Sequence, residues 1–365
     1  MIDWNSIYWI TQSLAALPAI LWIYLGLGIP FALVILPQRD WGQRILVLAV
    51  AFAIGPALLT AWMLLLGVWG ANTEQPLLQM QFIMPGTIVL FLIGGFLAIR
   101  KWMMTTRAPK TEYPPFALDE KIIIGAIVIT LILRGLVTAY YPFTAYDALW
   151  VYGFQPRLYL ELGYIPNHID YYPQFVQLQY LFGQLSVGGV DDHAARAVIP
   201  FMHIGSIFAA CVLGQRLFNR RTGIFLAGIW ALYPHVGDWA HVGDLEIPLT
   251  FLFTLTSVFF LLAWFESEKS LRRRYALIAG VIFGIAMWTK PTAGAFIWAV
   301  ILLVAVEFIR VRFDWRLWLP RFEVAFLTGI ACIPLGSIWY FRNIALGHQP
   351  IDLPPAFWLT QARQR

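Results

Sequence analysis

Asp147 lies in Tyr140-Tyr-Pro-Phe-Thr-Ala-Tyr-Asp-Ala-Leu-Trp-Val-Tyr152, an acid among aromatics directly after the apolar run from Ile122 to Ala139. Asp244 and Glu246 open a later apolar run. Lys290 stands alone in Gly284-Ile-Ala-Met-Trp-Thr-Lys-Pro-Thr-Ala-Gly-Ala-Phe296, and Arg342 follows the last run in Trp339-Tyr-Phe-Arg-Asn343. A charge at such a boundary is costly unless it is solvated, paired or used. A carboxylate can take a proton from a hydroxyl, and an ammonium or guanidinium can hold an oxyanion where negative charge accumulates. Together the two kinds of group suit displacement of a phosphate leaving group. Arg134, inside the run before Asp147, is a third cation; it can pair with Asp147, snorkel to the interface, or join Lys290 and Arg342 on an anion. The plainer reading of Lys290 is an interfacial anchor.

The segment His235-Val-Gly-Asp-Trp-Ala-His-Val-Gly-Asp-Leu-Glu246 repeats His-Val-Gly-Asp at a six-residue offset. His235, Asp238, His241 and Asp244 are residue types that bind divalent metals, so a divalent metal is the one cofactor the sequence suggests. On one helix a six-residue offset turns a side chain by about 240°, so the two copies would not share a face, although the glycines favour a turn that could gather them. The alternative is a solvated polar loop beside a single functional acid, Asp244.

The elements that must position these residues are membrane helices. With 60% hydrophobic and 12% charged residues and a mean hydropathy of +0.69, the chain is excluded from the ordinary soluble class. Apolar runs fall near 10–36, 45–69, 82–99, 121–139, 197–218, 223–236, 246–265, 275–289, 292–309 and 322–341. They are continuous rather than alternating in blocks of about ten residues, which excludes an outer-membrane barrel. The expected fold is an all-α polytopic transmembrane bundle of about ten helices, the runs at 223 and 275 being the shortest.

Eighteen of the 25 Lys and Arg residues fall in alternate connections: Arg39 and Arg44; Arg100 to Lys121; Arg216 to Arg221; Lys269 to Arg274; Arg310 to Arg321. The other connections hold Glu74, Asp147, Glu161, Asp170, Asp191, Asp192, Asp238, Asp244 and Glu246. The positive-inside rule places the basic set in the cytoplasm and the acids outside, with both chain ends outside. The net charge of +5 is therefore a topology signal and not a nucleic-acid surface. Met1-Ile-Asp-Trp-Asn-Ser has neither a basic n-region nor a small-residue cleavage site, so no removable signal peptide is expected. Cys211 and Cys332 lie inside apolar runs and read as inert thiols.

The stretch Thr105 to Asp119, with Pro109, Pro114 and Pro115, reads as a cytoplasmic linker. It divides accessory helices (1–110) from a working region (111–365). Between Ala139 and Arg196 lies a connection of about 55 residues, long enough to carry structure and function of its own. Asp147 to Gln155 and Pro156 to Gly163 read as two short amphipathic helices, with Tyr146, Trp150 and Tyr152 at headgroup depth.

The order of Tyr146-Asp147, the interfacial helices, Gly214-Gln-Arg-Leu-Phe-Asn-Arg-Arg-Thr-Gly223, Gly243-Asp-Leu-Glu-Ile-Pro-Leu-Thr250, Met287-Trp-Thr-Lys-Pro-Thr292 and Trp339-Tyr-Phe-Arg-Asn343 carries a resemblance. Residues 121 to 352 resemble the GT-C membrane glycosyltransferases of the protein mannosyltransferase and lipid A aminoarabinose transferase type. The resemblance implies a GT-C-like bundle that moves a hexose or pentose from a polyprenyl-phosphate donor to a glycan, lipid or protein acceptor. It implies an integral protein of the bacterial inner (plasma) membrane with its site on the extracytoplasmic side. By position Asp147 matches the family's essential first-loop acid and Asp244 a second acid. Lys290 and Arg342, with Arg134, match cations at the donor phosphate. Tyr146, Trp150, Tyr152, Glu246 and His241 would line the substrate. Ala148 departs from the pattern, since many relatives carry a second acid there. Members usually continue past this point, so Arg365 marks either a short member or an incomplete one.

Two other classes compete. In a secondary transporter the acids and Arg134 would be coupling sites, but such groups belong near the midplane on interrupted helices, often in internal repeats. Here the acids cluster at one face and the halves show no repeat. A non-catalytic assembly partner would use the same aromatics to bind lipid.

Overall fold

A computed structural model describes residues 4–104 and 114–350, with no strand among the described residues. Helix α1 (Trp4–Leu21) passes through a π-helical stretch, Trp22–Leu27, into α2 (Gly28–Ile35), followed by α3 (Arg44–Thr73), α4 (Met80–Met103) and α5 (Leu118–Tyr140). The long connection holds α6 (Phe154–Leu162), α7 (Phe175–Val187) and α8 (Asp192–Arg196), and α8 leads into α9 (Ile199–Leu217). The rest comprises α10 (Arg220–Leu232), α11 (Pro234–Val242), α12 (Glu246–Phe265), α13 (Lys269–Thr289), α14 (Ala295–Arg310), α15 (Trp315–Gly336) and α16 (Ile338–Ala345).

Among the described residues eight helical segments are long and apolar enough to cross a membrane, and the protein is an integral membrane protein with a polytopic helical bundle. The two remaining expected runs are α10 and α13. At 13 residues α10 extends only about 20 Å, short of the roughly 30 Å hydrocarbon core. The first turns of α13 hold Lys269, Arg272, Arg273 and Arg274, which lower its hydropathy. The last expected run is displaced: α15 stops at Gly336, behind Pro334, and residues beyond Ser337 form the separate α16. Pro334 removes a helical hydrogen bond and Gly336 weakens the final turn, so a continuous apolar stretch breaks in two.

Close backbone contact centres the bundle on α3. A Cβ on Gly55 would lie 2.2 Å from the Ile23 carbonyl oxygen, and one on Gly28 2.4 Å from that of Ala51. Only glycine lets these helices touch through their backbones, the packing that replaces the hydrophobic effect inside lipid. Helices α3 and α9 are the most enclosed of the spanning segments, whereas α5, α14 and α15 face outward along most of their length. One apolar core runs continuously from Ala16 to Trp339, so the amino-terminal helices share it with the rest.

The two ends of the bundle differ in chemistry. At one end Asp40, 1% exposed, accepts hydrogen bonds from Arg216 and Tyr275, each at 2.7 Å. There Lys101 and Arg274 donate to the Val34 carbonyl at 2.9 and 2.8 Å, satisfying the open carboxyl end of α2. The basic connections gather at this end. The acidic connections around 141–191, 233–245 and residue 290 gather at the other. Residues 105–113 of the expected linker lie outside the described residues, as do 1–3 and 351–365 at the two ends of the chain.

Candidate active site

The acidic end is assembled by helix stops. Pro291 disfavours helical backbone at the residue before it, so α13 ends at Thr289 and Lys290 is extended, with φ −153° and ψ 135°. The partner helix α12 begins at Glu246 on the same level. The Lys290 ammonium therefore meets the Glu246 carboxylate, with Nζ 2.7 Å from Oε1. Burial works against the charged ammonium, and Glu246 outweighs it, holding Lys290 above its ordinary pKa.

Asp244 is placed by a left-handed residue. Gly243 ends α11 with φ +92°, and a Cβ there would lie 2.7 Å from Phe143 Cε1. Its carbonyl accepts the Tyr180 hydroxyl at 2.8 Å. Asp244 thus faces the segment that carries Asp147: the Ala148 amide bears on its carboxyl group, while Oδ1 is buried without a partner. Burial, then the charges of Glu246 and Asp147, push the Asp244 pKa up to about 6, against the pull of Lys290 and the Ala148 amide. We expect Gly243→Ala to lower stability by about 1–3 kcal/mol, the usual cost of forcing a side chain into such backbone. Thermal unfolding in detergent checks it, and an unchanged midpoint would refute the account of this turn.

The raised pKa has a thermodynamic consequence. A group held above its unfolded-state value contributes stability below that value, near 3.8, and loses it as pH rises through about 6. Asp244→Asn removes the titration, so its thermal midpoint should gain on the parent's as pH rises from about 4 to about 6 and level off above that. A difference that does not vary with pH would remove Asp244 from this role.

Asp147 itself is exposed, and no described residue donates a hydrogen bond or forms an ion pair to it. Its charge nevertheless bears on Asp244, Lys290 and Tyr152. Tyr146 and Trp150 are 76% and 67% exposed with ring centroids 6.4 Å apart, as expected of interfacial aromatics. Tyr152 differs from its expected place. It is 1% exposed and edge-on to Tyr172, with centroids 5.4 Å apart, so it has no free face for stacking. Its hydroxyl faces Tyr172, Asp147 and Glu246 without a well-aligned hydrogen bond. Burial raises its pKa far above the tyrosine range, leaving a permanent donor.

Four acids and bases thus converge, and the other expected cations do not join them. The Arg342 guanidinium donates to the carbonyls of Ile169 at 2.8 Å and Pro166 at 2.9 Å and lies over the Trp339 ring. With Asn343 donating to Asp170 O at 2.8 Å, it clasps the 166–170 loop to α16. Arg134 Nη1 meets His203 Nε2 at 2.7 Å, and Asp238, not Asp147, is the acid that bears on it. A linear pattern records that a cation ends a helix, but not whether carbonyls or an anion stand opposite it.

The His-Val-Gly-Asp repeat does not close on a centre. Among the described residues no group of three or more His, Cys, Asp or Glu could hold a metal ion. His235 accepts the Trp239 indole N–H at 3.2 Å, His241 Nδ1 meets the Gly237 carbonyl at 2.8 Å, and Asp238 turns toward Arg134. Because α11 is helical from Pro234 to Val242, the offset spreads these side chains over different faces.

The sequence reading passed over three groups that build the site. Arg196, fully buried, bonds Thr138, Pro142 and His241; Tyr180 holds Gly243; and α7, for which no element was expected within the long connection, is buried under α1, α3 and α8. The phase of Gln174, Gln177 and Gln184 among apolar residues in 174–187 was the available signal for a packed helix there.

Residues 178–339 match the model of the family described as dolichyl-phosphate-mannose-protein mannosyltransferase, a GT-C type glycosyltransferase family. The resemblance read from the motifs is borne out over this segment, which contains Arg196, Asp244, Glu246 and Lys290 but not Asp147, Arg134 or Arg342. No curated protein and no solved structure matches the chain.

Proposed function

We propose that the chain is a membrane glycosyltransferase that takes a sugar from a polyprenyl-phosphate donor at the extracytoplasmic face and passes it to a glycan, lipid or protein acceptor. The observation that carries this reading is the convergence of Asp147, Asp244 and Glu246 on Lys290 at the acidic end of a bundle whose matched segment is a glycosyltransferase family's. The charge asymmetry of the connections supports the extracytoplasmic assignment.

In the reaction the acceptor oxygen bonds to the anomeric carbon as the bond to the donor phosphate oxygen breaks, and that bond's electrons leave with the phosphate. Asp147, exposed and unengaged, orients the acceptor hydroxyl and takes its proton. Lys290 exchanges the Glu246 carboxylate for the phosphate, so the cation meets the growing charge of the leaving group. Glu246, released, faces the sugar, with the buried Tyr152 hydroxyl bearing on it from behind. Asp244 keeps the Asp147 segment in place through the Ala148 amide and must be ionised to do so, so the rate falls as pH drops through about 6. The isoprenoid tail remains in lipid beside the outward-facing helices, while Tyr146 and Trp150 stand at the headgroups.

Purified protein in proteoliposomes should release polyprenyl phosphate from donors carrying a labelled hexose or pentose. Absence of release from both, with folding verified, would overturn the proposal.

A further inference from the structure

Arg196 is 0% exposed, and no carboxylate among the described residues lies within ion-pair distance of it. Its guanidinium reaches three separate stretches of backbone. Nε donates to Thr138 O at 3.2 Å at the end of α5, Nη1 to Pro142 O, and Nη2 to His241 O at 2.7 Å at the end of α11. Pro142 precedes Asp147 by five residues, and His241 precedes Asp244 by three. Phe143 lies under the guanidinium, 5.6 Å from its carbon, and packs on Tyr180 with centroids 5.2 Å apart. The Tyr180 hydroxyl in turn holds Gly243. One side chain therefore joins the root of the Asp147 segment to the root of the Asp244 segment.

A buried charge whose nearest acid, Asp192, bears on it only from beyond ion-pair distance is a poor way to stabilise a bundle, since an apolar side chain of similar volume commonly does as well or better. A planar five-donor fork does what an apolar side chain cannot: it fixes three carbonyls relative to one another, in a set plane that the rotatable ammonium of a lysine, such as Lys101 among its own three carbonyls, does not impose. We propose that Arg196 is the positioning residue of the site, setting the spacing of the Asp147 and Asp244 segments so that Asp244 can hold the segment from which Asp147 meets the reacting hydroxyl. The inference rests on the sugar-transfer reading above.

The test compares the parent with Arg196→Ala, Arg196→Lys, Tyr180→Phe and, at the opposite end of the bundle, Arg216→Lys. Release of polyprenyl phosphate is followed against donor concentration and pH, and amide exchange is measured in segments 141–153 and 236–246. Arg196→Ala should lower kcat by about 100-fold, the size of a small misplacement of reacting groups, with the donor KM within about twofold because Lys290 is untouched. Its acid limb should move down, because Asp244 loses part of its burial and the charge of Asp147 with that segment, which outweigh the lost Ala148 amide, while Glu246, Lys290 and Tyr180 stay around it. Exchange should rise in both segments together. Arg196→Lys should fall between the alanine variant and the parent. Tyr180→Phe, which keeps the ring, should show the same signs at smaller size.

Arg216→Lys should lower the thermal midpoint and leave the acid limb in place. Parent-like kcat and pH limb in Arg196→Lys and Tyr180→Phe would overturn the proposal. So would lost activity with an unmoved limb and a uniform rise in exchange, the pattern of simple destabilisation. If the parent itself releases no polyprenyl phosphate, the sugar-transfer reading fails, while exchange in the two segments still decides whether Arg196 couples them.

Discussion

Asp147→Asn should insert and fold like the parent and release polyprenyl phosphate at least about 100-fold more slowly, the scale of a lost general base. The substitution keeps volume and shape and removes charge and basicity. Because Asp147 is exposed and accepts no hydrogen bond from the described residues, the fold should lose little, within about 0.5 kcal/mol for a surface change. The deficit should fall on kcat. Donor KM should hold or decrease, because one negative charge near Lys290 has gone. Proteoliposome kinetics beside a thermal melt checks both halves. A variant that transfers sugar at the parent's rate would remove Asp147 from the chemistry and leave Asp244 and Glu246 as the candidate bases.

The ion pair of Lys290 and Glu246 yields the second large effect, with opposite signs at its two members. Lys290→Met replaces the cation with an apolar chain of similar length. It should cost about 100- to 1000-fold in kcat, as removal of a group aimed at developing charge does, together with a raised donor KM. Glu246→Gln leaves the cation in place and removes its competitor. The donor phosphate then no longer has to displace a carboxylate held at 2.7 Å, and donor KM should fall. If Glu246 also orients the sugar, kcat falls at the same time, and the split between the two constants separates the roles. Unchanged donor KM in both variants would show that the phosphate binds elsewhere, and the Lys290 assignment would fall.

Much of the bundle was legible because partitioning into lipid acts on short stretches of sequence. Hydropathy marked the spanning helices within a few residues, and the alternation of basic and acidic connections separated the two ends. Misplacements occurred where local backbone chemistry overrode hydropathy. Pro334 and Gly336 split the last run, and the basic residues in the first turns of α13 left its expected run, 275–289, short of a helix that begins at Lys269 and packs along α12 and α15.

The site was legible in part for a related reason. Asp147, Asp244, Glu246 and Lys290 are each marked by standing at a boundary where a charge is expensive, and that mark is visible in one dimension. Arg134 and Arg342 carry the same mark, yet they go to His203 and to the 166–170 loop. By itself the sequence determined that the chain is a membrane helix bundle with most of its basic residues at one end, since composition and charge order decide partitioning. Only the tertiary structure decided which charges meet. That depends on where α12 and α13 stop relative to each other, on the left-handed turn at Gly243, and on the three carbonyls that Arg196 gathers from segments far apart in the chain.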